Sequence, residues 1–152
     1  MRTHPIECHQ EGYTISTDPR RLDLSLIHQF LSLDSYWARG RGFETVQRSI
    51  ENSLAFGVYE GARQIGFARV ITDYATFAWL ADVFILPPWR GKGLGKWLVS
   101  TILGHPGLQG FRRWMLATND ANELYRRFGF SEIPEPKIIM QVLSDPASPG
   151  GS

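Results

Sequence analysis

Two features of the middle third predict an α/β fold of the α+β kind, a mixed and mostly antiparallel sheet with splayed central strands and flanking helices. The first is a set of three apolar runs, over residues 54–59, 64–71 and 77–86, joined by short polar turns such as Glu60-Gly61. That texture is an antiparallel meander. The second is the run from Asp82 to Leu98, which leaves an apolar strand, crosses a glycine-rich turn and enters a helix carrying Leu94, Trp97, Leu98, Thr101 and Ile102 at helical spacing. One stripe of that helix therefore faces the sheet.

The other elements follow in order. Tyr13-Thr14-Ile15-Ser16 alternates and reads as a first strand. Asp18-Pro19 supplies a cap and a first-position proline, so a helix is expected to run to about Leu33 with Leu22, Leu26, Ile27 and Phe30 on its apolar face. Residues 34–42 break that pattern with large side chains, and residues 43–52 form a second short helix with Val46 and Ile50 four apart. After the glycine turn and its helix, Gly104-His105-Pro106-Gly107 stops the chain. Residues 113–117 read as a buried strand, and a short helix ends at Gly129. A closing hairpin is expected from residues 130–133 and 138–142.

With 152 residues the chain has room for one domain, expected over 1–144, with the Pro/Gly/Ser-rich residues 145–152 as a disordered tail. A net charge of +1 gives no electrostatic footprint for nucleic acid. No apolar run approaches the roughly 20 residues of a membrane-spanning helix, and the N-terminus is polar, so a cytoplasmic protein without a membrane partner is expected. The lone Cys8 fits a reducing compartment. His4, Cys8 and His9 lie close in sequence, but nothing elsewhere completes a four-ligand site, so no metal is expected. A homodimer is left open.

The glycine turn reads as a phosphate cradle. Gly91, Gly93 and Gly95 let backbone amides converge on one anion, the following helix adds its unpaired amides, and Arg90, Lys92 and Lys96 bring countercharge. It lacks the Gly-Lys-Ser/Thr end of a nucleotide P-loop and the glycine spacing of a dinucleotide fingerprint. Arg90-Gly91-Lys92-Gly93-Leu94-Gly95 instead closely resembles the pyrophosphate loop of the GNAT superfamily, the acetyl-CoA-dependent N-acetyltransferases. Ala121-Asn122-Glu123-Leu124-Tyr125-Arg126-Arg127-Phe128-Gly129-Phe130 resembles the A-x-x-L-Y-x-x-x-G-F signature that ends the core of that family. The resemblance spans roughly residues 13–142, and only the middle third is motif-specific.

That resemblance implies an acetyl-CoA site. It places the pantetheine arm along Val83, Phe84 and Ile85, the pyrophosphate on residues 90–96 including Leu94, and Tyr125 near the sulfur as general acid. Without the family, Tyr125 reads first as a packed interface tyrosine. Asp82 is the candidate base, or else a structural acceptor for loop amides. Relatives often carry an Asn seven positions before the tyrosine; here Thr118 stands there and Asn119 follows, so either could contact the cofactor. Tyr36 and Trp37 in the 34–42 loop form a candidate acceptor wall or a plug on the core edge, and Arg39 and Arg41 suggest a carboxylate on the acceptor or solvated charge. The function expected is acetyl transfer to a primary amine of a small molecule such as an amino-acid derivative. The competing expectations are a protein or peptide acetyltransferase, a non-catalytic CoA sensor, and a nucleotide-phosphate module.

Overall fold

The computed structural model describes residues 4–144. The expected tail, 145–152, lies outside them. Six strands form a single sheet in the order β1-β2-β3-β4-β5-β6: β1 Glu7–Gln10, β2 Tyr13–Ser16, β3 Leu54–Glu60, β4 Arg63–Thr72, β5 Phe77–Ile85 and β6 Arg113–Met115. Each neighbour pair is antiparallel except β5 with β6, which is parallel. The helices are α1 Leu24–Gln29, α2 Phe43–Glu51, α3 Leu94–Leu103 and α4 Asn122–Arg126.

β3 is buried at six successive positions, because apolar side chains cover both faces of the sheet there. On one face Leu94, Leu98, Val99 and Ile102 of α3 pack against Phe56, Val58, Val70 and Leu80. On the other, Ile27 of α1 and Val46 and Ile50 of α2 pack against Ala55, Phe67 and Phe84. At roughly 25 cal/mol per Å² of apolar surface, these two clusters hold the sheet between its helices.

The meander, α2, α3 and α4 fall where the sequence puts them. Four expectations are corrected. A strand the sequence did not announce, β1, pairs with β2 through a tight turn in which Glu11 and Gly12 both take positive φ, 50° and 85°. Asp18 and Pro19 start only the single turn Pro19–Arg21; the chain is capped afresh by Asp23, whose carboxylate accepts from the Leu26 amide. The helix then widens into a π-turn over Phe30–Asp34 that swings the following loop over the sheet edge. β6 covers three residues at the sheet edge rather than a buried five. The closing hairpin does not form: among the described residues, 130–144 contain no strand, and Pro136–Ile138 make a 3₁₀ turn instead. Pro134 and Pro136 explain this locally, since neither can donate to a ladder.

Candidate active site

β5 is the axis of the site. Its pairing with β6 stops at Trp79 opposite Met115, while β5 continues to Ile85. The two strands part, and no described strand covers β5 over residues 80–85 on that side. On the other side the ladder with β4 slips: Phe67 faces Phe84, but Arg69 faces Ala81, so Asp82 and Val83 oppose Ala68 alone. This is a β-bulge, and Asp82 absorbs it with a left-handed backbone, φ 55°. Aspartate tolerates that region better than most residues, at a cost of about 1–2 kcal/mol.

A dense set of donors holds the bulge. Asp82 is 6% exposed; Oδ1 accepts from Trp37 Nε1 at 2.9 Å, and Oδ2 accepts from Arg41 Nη1 at 3.0 Å and Arg69 Nε at 2.6 Å. The two arginine side chains are themselves 15% and 12% exposed. Both carboxylate oxygens are occupied. The same bond pins Trp37, whose ring meets Tyr36 edge-on at 5.1 Å. Tyr36 reaches across to the loop before α4, accepting from the Asn119 amide at 3.2 Å and donating to Asp120 Oδ1 at 3.4 Å.

Two cavities meet at these residues. One, about 480 Å³, runs between Val83, Phe84 and Ile85 of β5, the turn glycines Gly91, Gly93 and Gly95, Leu94, Arg90, and Tyr125. The other, about 440 Å³, lies between Trp79, Asp82, Arg41, Arg69 and the 116–121 segment, with Asn119 in its lining. Asn119 thus stands on the second cavity rather than the first. Lys92 and Lys96 are exposed and line neither. Arg90 turns back, its Nε donating to the Ile85 carbonyl at 2.8 Å, and so closes the end of β5. The Phe84 ring stacks on Phe30 at 4.0 Å in the core.

The first cavity fits a pyrophosphate-bearing ligand. Gly91 and Gly93 both have φ near +80°, and a Cβ built on either meets nothing within 4 Å, so the space in front of the turn is open. The first α3 hydrogen bond runs from the Trp97 amide to the Gly93 carbonyl, which leaves the amides of residues 94–96 without intrahelical partners at a positive dipole end. Tyr125, on α4, is 8% exposed at the junction of the cavities. Burial, reinforced by Asp120, pushes its phenol up to about 12. It is a proton donor throughout the neutral range.

The sequence did not announce the joint grip of Arg41 and Arg69 on Asp82, nor Asp120. Arg69 sits thirteen residues before Asp82, outside any motif, and only strand register brings the two together. For Asp120, its place two residues after Thr118 at the mouth of α4 was the available signal.

A strand that parts from its parallel neighbour beside a glycine cradle at a helix N-terminus defines an acyltransferase of the coenzyme-A-binding kind. Residues 51–132 match the acetyltransferase (GNAT) domain model, and the chain belongs to that family. It is 47% identical to a Xanthomonas campestris pv. campestris protein whose crystal structure is named as that of a GNAT-family acetyltransferase. That match covers 90% of this chain and 96% of the other with a TM-score of 0.86. A Gibberella zeae protein named as an acetyltransferase is 32% identical over 145 residues, 81% of each chain. Glucosamine-6-phosphate N-acetyltransferase from Arabidopsis thaliana shares the fold at 20% identity, over 89% of this chain and 100% of the other with a TM-score of 0.61. The family uses acetyl-CoA, and the protein is an acyltransferase. Among the described residues no helix is long and apolar enough to cross a membrane.

Proposed function

We propose that the protein moves an acetyl group from acetyl-CoA to the primary amine of a small molecule that also carries a carboxylate, such as an amino-acid derivative. The observation that carries the acceptor class is the cluster in the second cavity, where two nearly buried guanidinium groups share one carboxylate. Of the five N–H donors on each guanidinium, Asp82 and Ser53 take one from Arg41 and two from Arg69. The remaining donors favour a bidentate anion.

Bound acetyl-CoA would supply the thioester carbonyl as electrophile and a thiolate as leaving group. The chain's own parts then have distinct tasks. Amides of residues 94–96 and the turn hold phosphate, aided by charge on Arg90, Lys92 and Lys96. The side of β5 over Val83, Phe84 and Ile85 that no described strand covers orients the pantetheine arm and presents a donor to the carbonyl oxygen. Tyr125 keeps its proton at neutral pH and donates it toward the sulfur. Trp37 and Tyr36 wall the amine in place, and Asp82 fixes Trp37 and the arginines rather than taking a proton.

The test is an acetylation panel of glycine, β-alanine, 4-aminobutanoate, butylamine and a lysine-rich peptide, with thiol release as readout. Turnover of a carboxylate-bearing amine, and an Arg41→Ala KM rise at least tenfold larger for it than for butylamine, would support the assignment. Equal response of both amines, or turnover of the peptide alone, would overturn it.

A further inference from the structure

The two cavities share six lining residues, Tyr36, Trp37, Val83, Asp120, Ala121 and Tyr125. An amine bound in one can meet an acyl group bound in the other only at these six. A primary amine arrives as an ammonium and must lose a proton before its lone pair can attack, so a proton acceptor is needed at this junction. Asp120 is the single carboxylate among the six. Asp82 lines the acceptor cavity alone, and Asp34 the cofactor cavity alone.

The hydrogen bonding separates the two candidate carboxylates further. Asp82 accepts three short bonds and is nearly buried, whereas Asp120 is exposed and its side-chain bonds are long, 3.4 Å from Tyr36 Oη and 3.5 Å from Thr118 Oγ1. Both fall on Oδ1. Asp120 therefore keeps lone pairs for an incoming N–H and an exposed side from which a proton can leave. Its backbone is fixed: the Asp120 and Ala121 amides both donate to Thr118 Oγ1, at 3.4 and 3.1 Å. Tyr36 ties it across the cleft from a residue 84 positions away.

We propose that Asp120 receives the acceptor's ammonium group and takes its proton, with Tyr36 as the positioning residue. This rests on the acetyl-transfer function proposed above. In the step, one N–H bond of the ammonium breaks and its electron pair stays on nitrogen. An O–H bond forms on Asp120, the carboxylate becomes neutral, and the exposed carboxyl then returns the proton to water. The charged and titratable groups facing Asp120 are Tyr36 from the 34–42 loop and Tyr125 from α4, with Asp34 and Arg90 on the cofactor side and Arg41, Arg69 and Asp82 on the acceptor side. Close to Tyr125, the Asp120 charge reinforces burial in keeping that phenol protonated. One junction thus holds an acceptor of protons and a donor of protons.

The experiment compares wild type with Asp120→Asn, Asp120→Glu and Tyr36→Phe, using 4-aminobutanoate and butylamine as probes. Calorimetry on the CoA-bound enzyme should show both probes binding at least tenfold more weakly to Asp120→Asn, with CoA affinity and thermal midpoint unchanged. Asp120→Glu should restore part of the affinity. Where a probe is turned over, kcat/KM of Asp120→Asn should climb tenfold per pH unit up to the free amine's own pKa, while wild type reaches its plateau at lower pH. Tyr36→Phe should lose less than Asp120→Asn and keep the wild-type pH profile. Wild-type probe affinity in Asp120→Asn, an unchanged pH profile, or no binding of either probe to the wild-type CoA complex would each overturn the assignment. Probe binding that depends on Asp120 without any turnover would support the site and sink the transfer reaction instead.

Discussion

Two glycines of the cradle can be told apart by a single added methyl. Gly95 is the second residue of α3, its backbone is helical, and a Cβ built there meets only Ile85 Cγ1 at 4.0 Å, an ordinary contact. Alanine in a helix is favoured over glycine by about 0.5–1 kcal/mol, so Gly95→Ala should leave the free protein as stable or raise its midpoint by about 1–4 °C. The ligand meets a different surface. A phosphate oxygen bound to an amide sits about 2.9 Å from nitrogen, whereas carbon contacts need about 3.5–4.0 Å, so a methyl on the cradle forces the anion to retreat. Losing one charge-assisted hydrogen bond costs about 1.5–3 kcal/mol, a tenfold to hundredfold rise in the CoA Kd. Gly93→Ala behaves differently, because its φ of +80° puts about 1–2 kcal/mol of strain on any L side chain. That variant should lose CoA affinity and also melt about 2–8 °C lower. Scanning calorimetry of the free variants and titration calorimetry with CoA read both quantities. Wild-type CoA affinity in Gly95→Ala would refute the placement of phosphate at this helix terminus.

Three further outcomes are expected. Tyr125→Phe should keep CoA affinity within about twofold while turnover falls about ten- to a thousandfold; because the wild-type phenol lies near 12, steady-state profiles should show no loss of activity from its ionisation below about pH 10. Asp82→Ala leaves Arg41 and Arg69 buried without their carboxylate and should cost about 3–5 kcal/mol, read as a shift of the urea midpoint at unchanged m. His105 is 2% exposed, its Nδ1 accepts from the Gly107 amide at 2.9 Å, and its Nε2 is buried without a partner. Burial lowers its pKa below the ordinary 6.5. The unfolded chain then binds the extra proton first, so stability should fall as pH drops below about 6.5, by up to about 1.4 kcal/mol per unit; urea unfolding at pH 7.5 and 5.5 should show a slope that His105→Gln removes.

Most of the sheet was legible in the sequence because its strands are central. β3 and β4 are apolar on both faces and bounded by clear turns, and α3 combines a helical stripe with a glycine start. The edges were harder. Glu7-Cys8-His9-Gln10 is polar and half-exposed, since an edge strand at the sheet's end buries little, so no alternation marks it. Residues 138–143 fail in the opposite direction: Ile138, Ile139, Met140, Val142 and Leu143 have strand propensity, yet they stand 45–97% exposed, because propensity without a paired neighbour does not make a strand. The cradle and Tyr125 were readable because their spacing is local. Arg41, Arg69 and Trp37 converge on Asp82 from separations of 41, 13 and 45 residues, and such convergence follows from register and loop path rather than from any pattern along the chain.

The bulge at Asp82 joins the two halves of the site. One extra residue in β5 turns the strand where β6 has already parted from it, and so re-aims the backbone of Val83 toward the cavity that Tyr125 closes. A left-handed aspartate in mid-strand would ordinarily relax to a regular ladder. Here three donors from two segments, the 34–42 loop and β4, hold its carboxylate, and regularising the strand would pull it away from them. The strain is therefore sustained by the same arginines that give the acceptor cavity its positive wall and by the same tryptophan that forms its side. The lining of the second cavity and the placement of the β5 backbone are thus coupled through one carboxylate held by three donors.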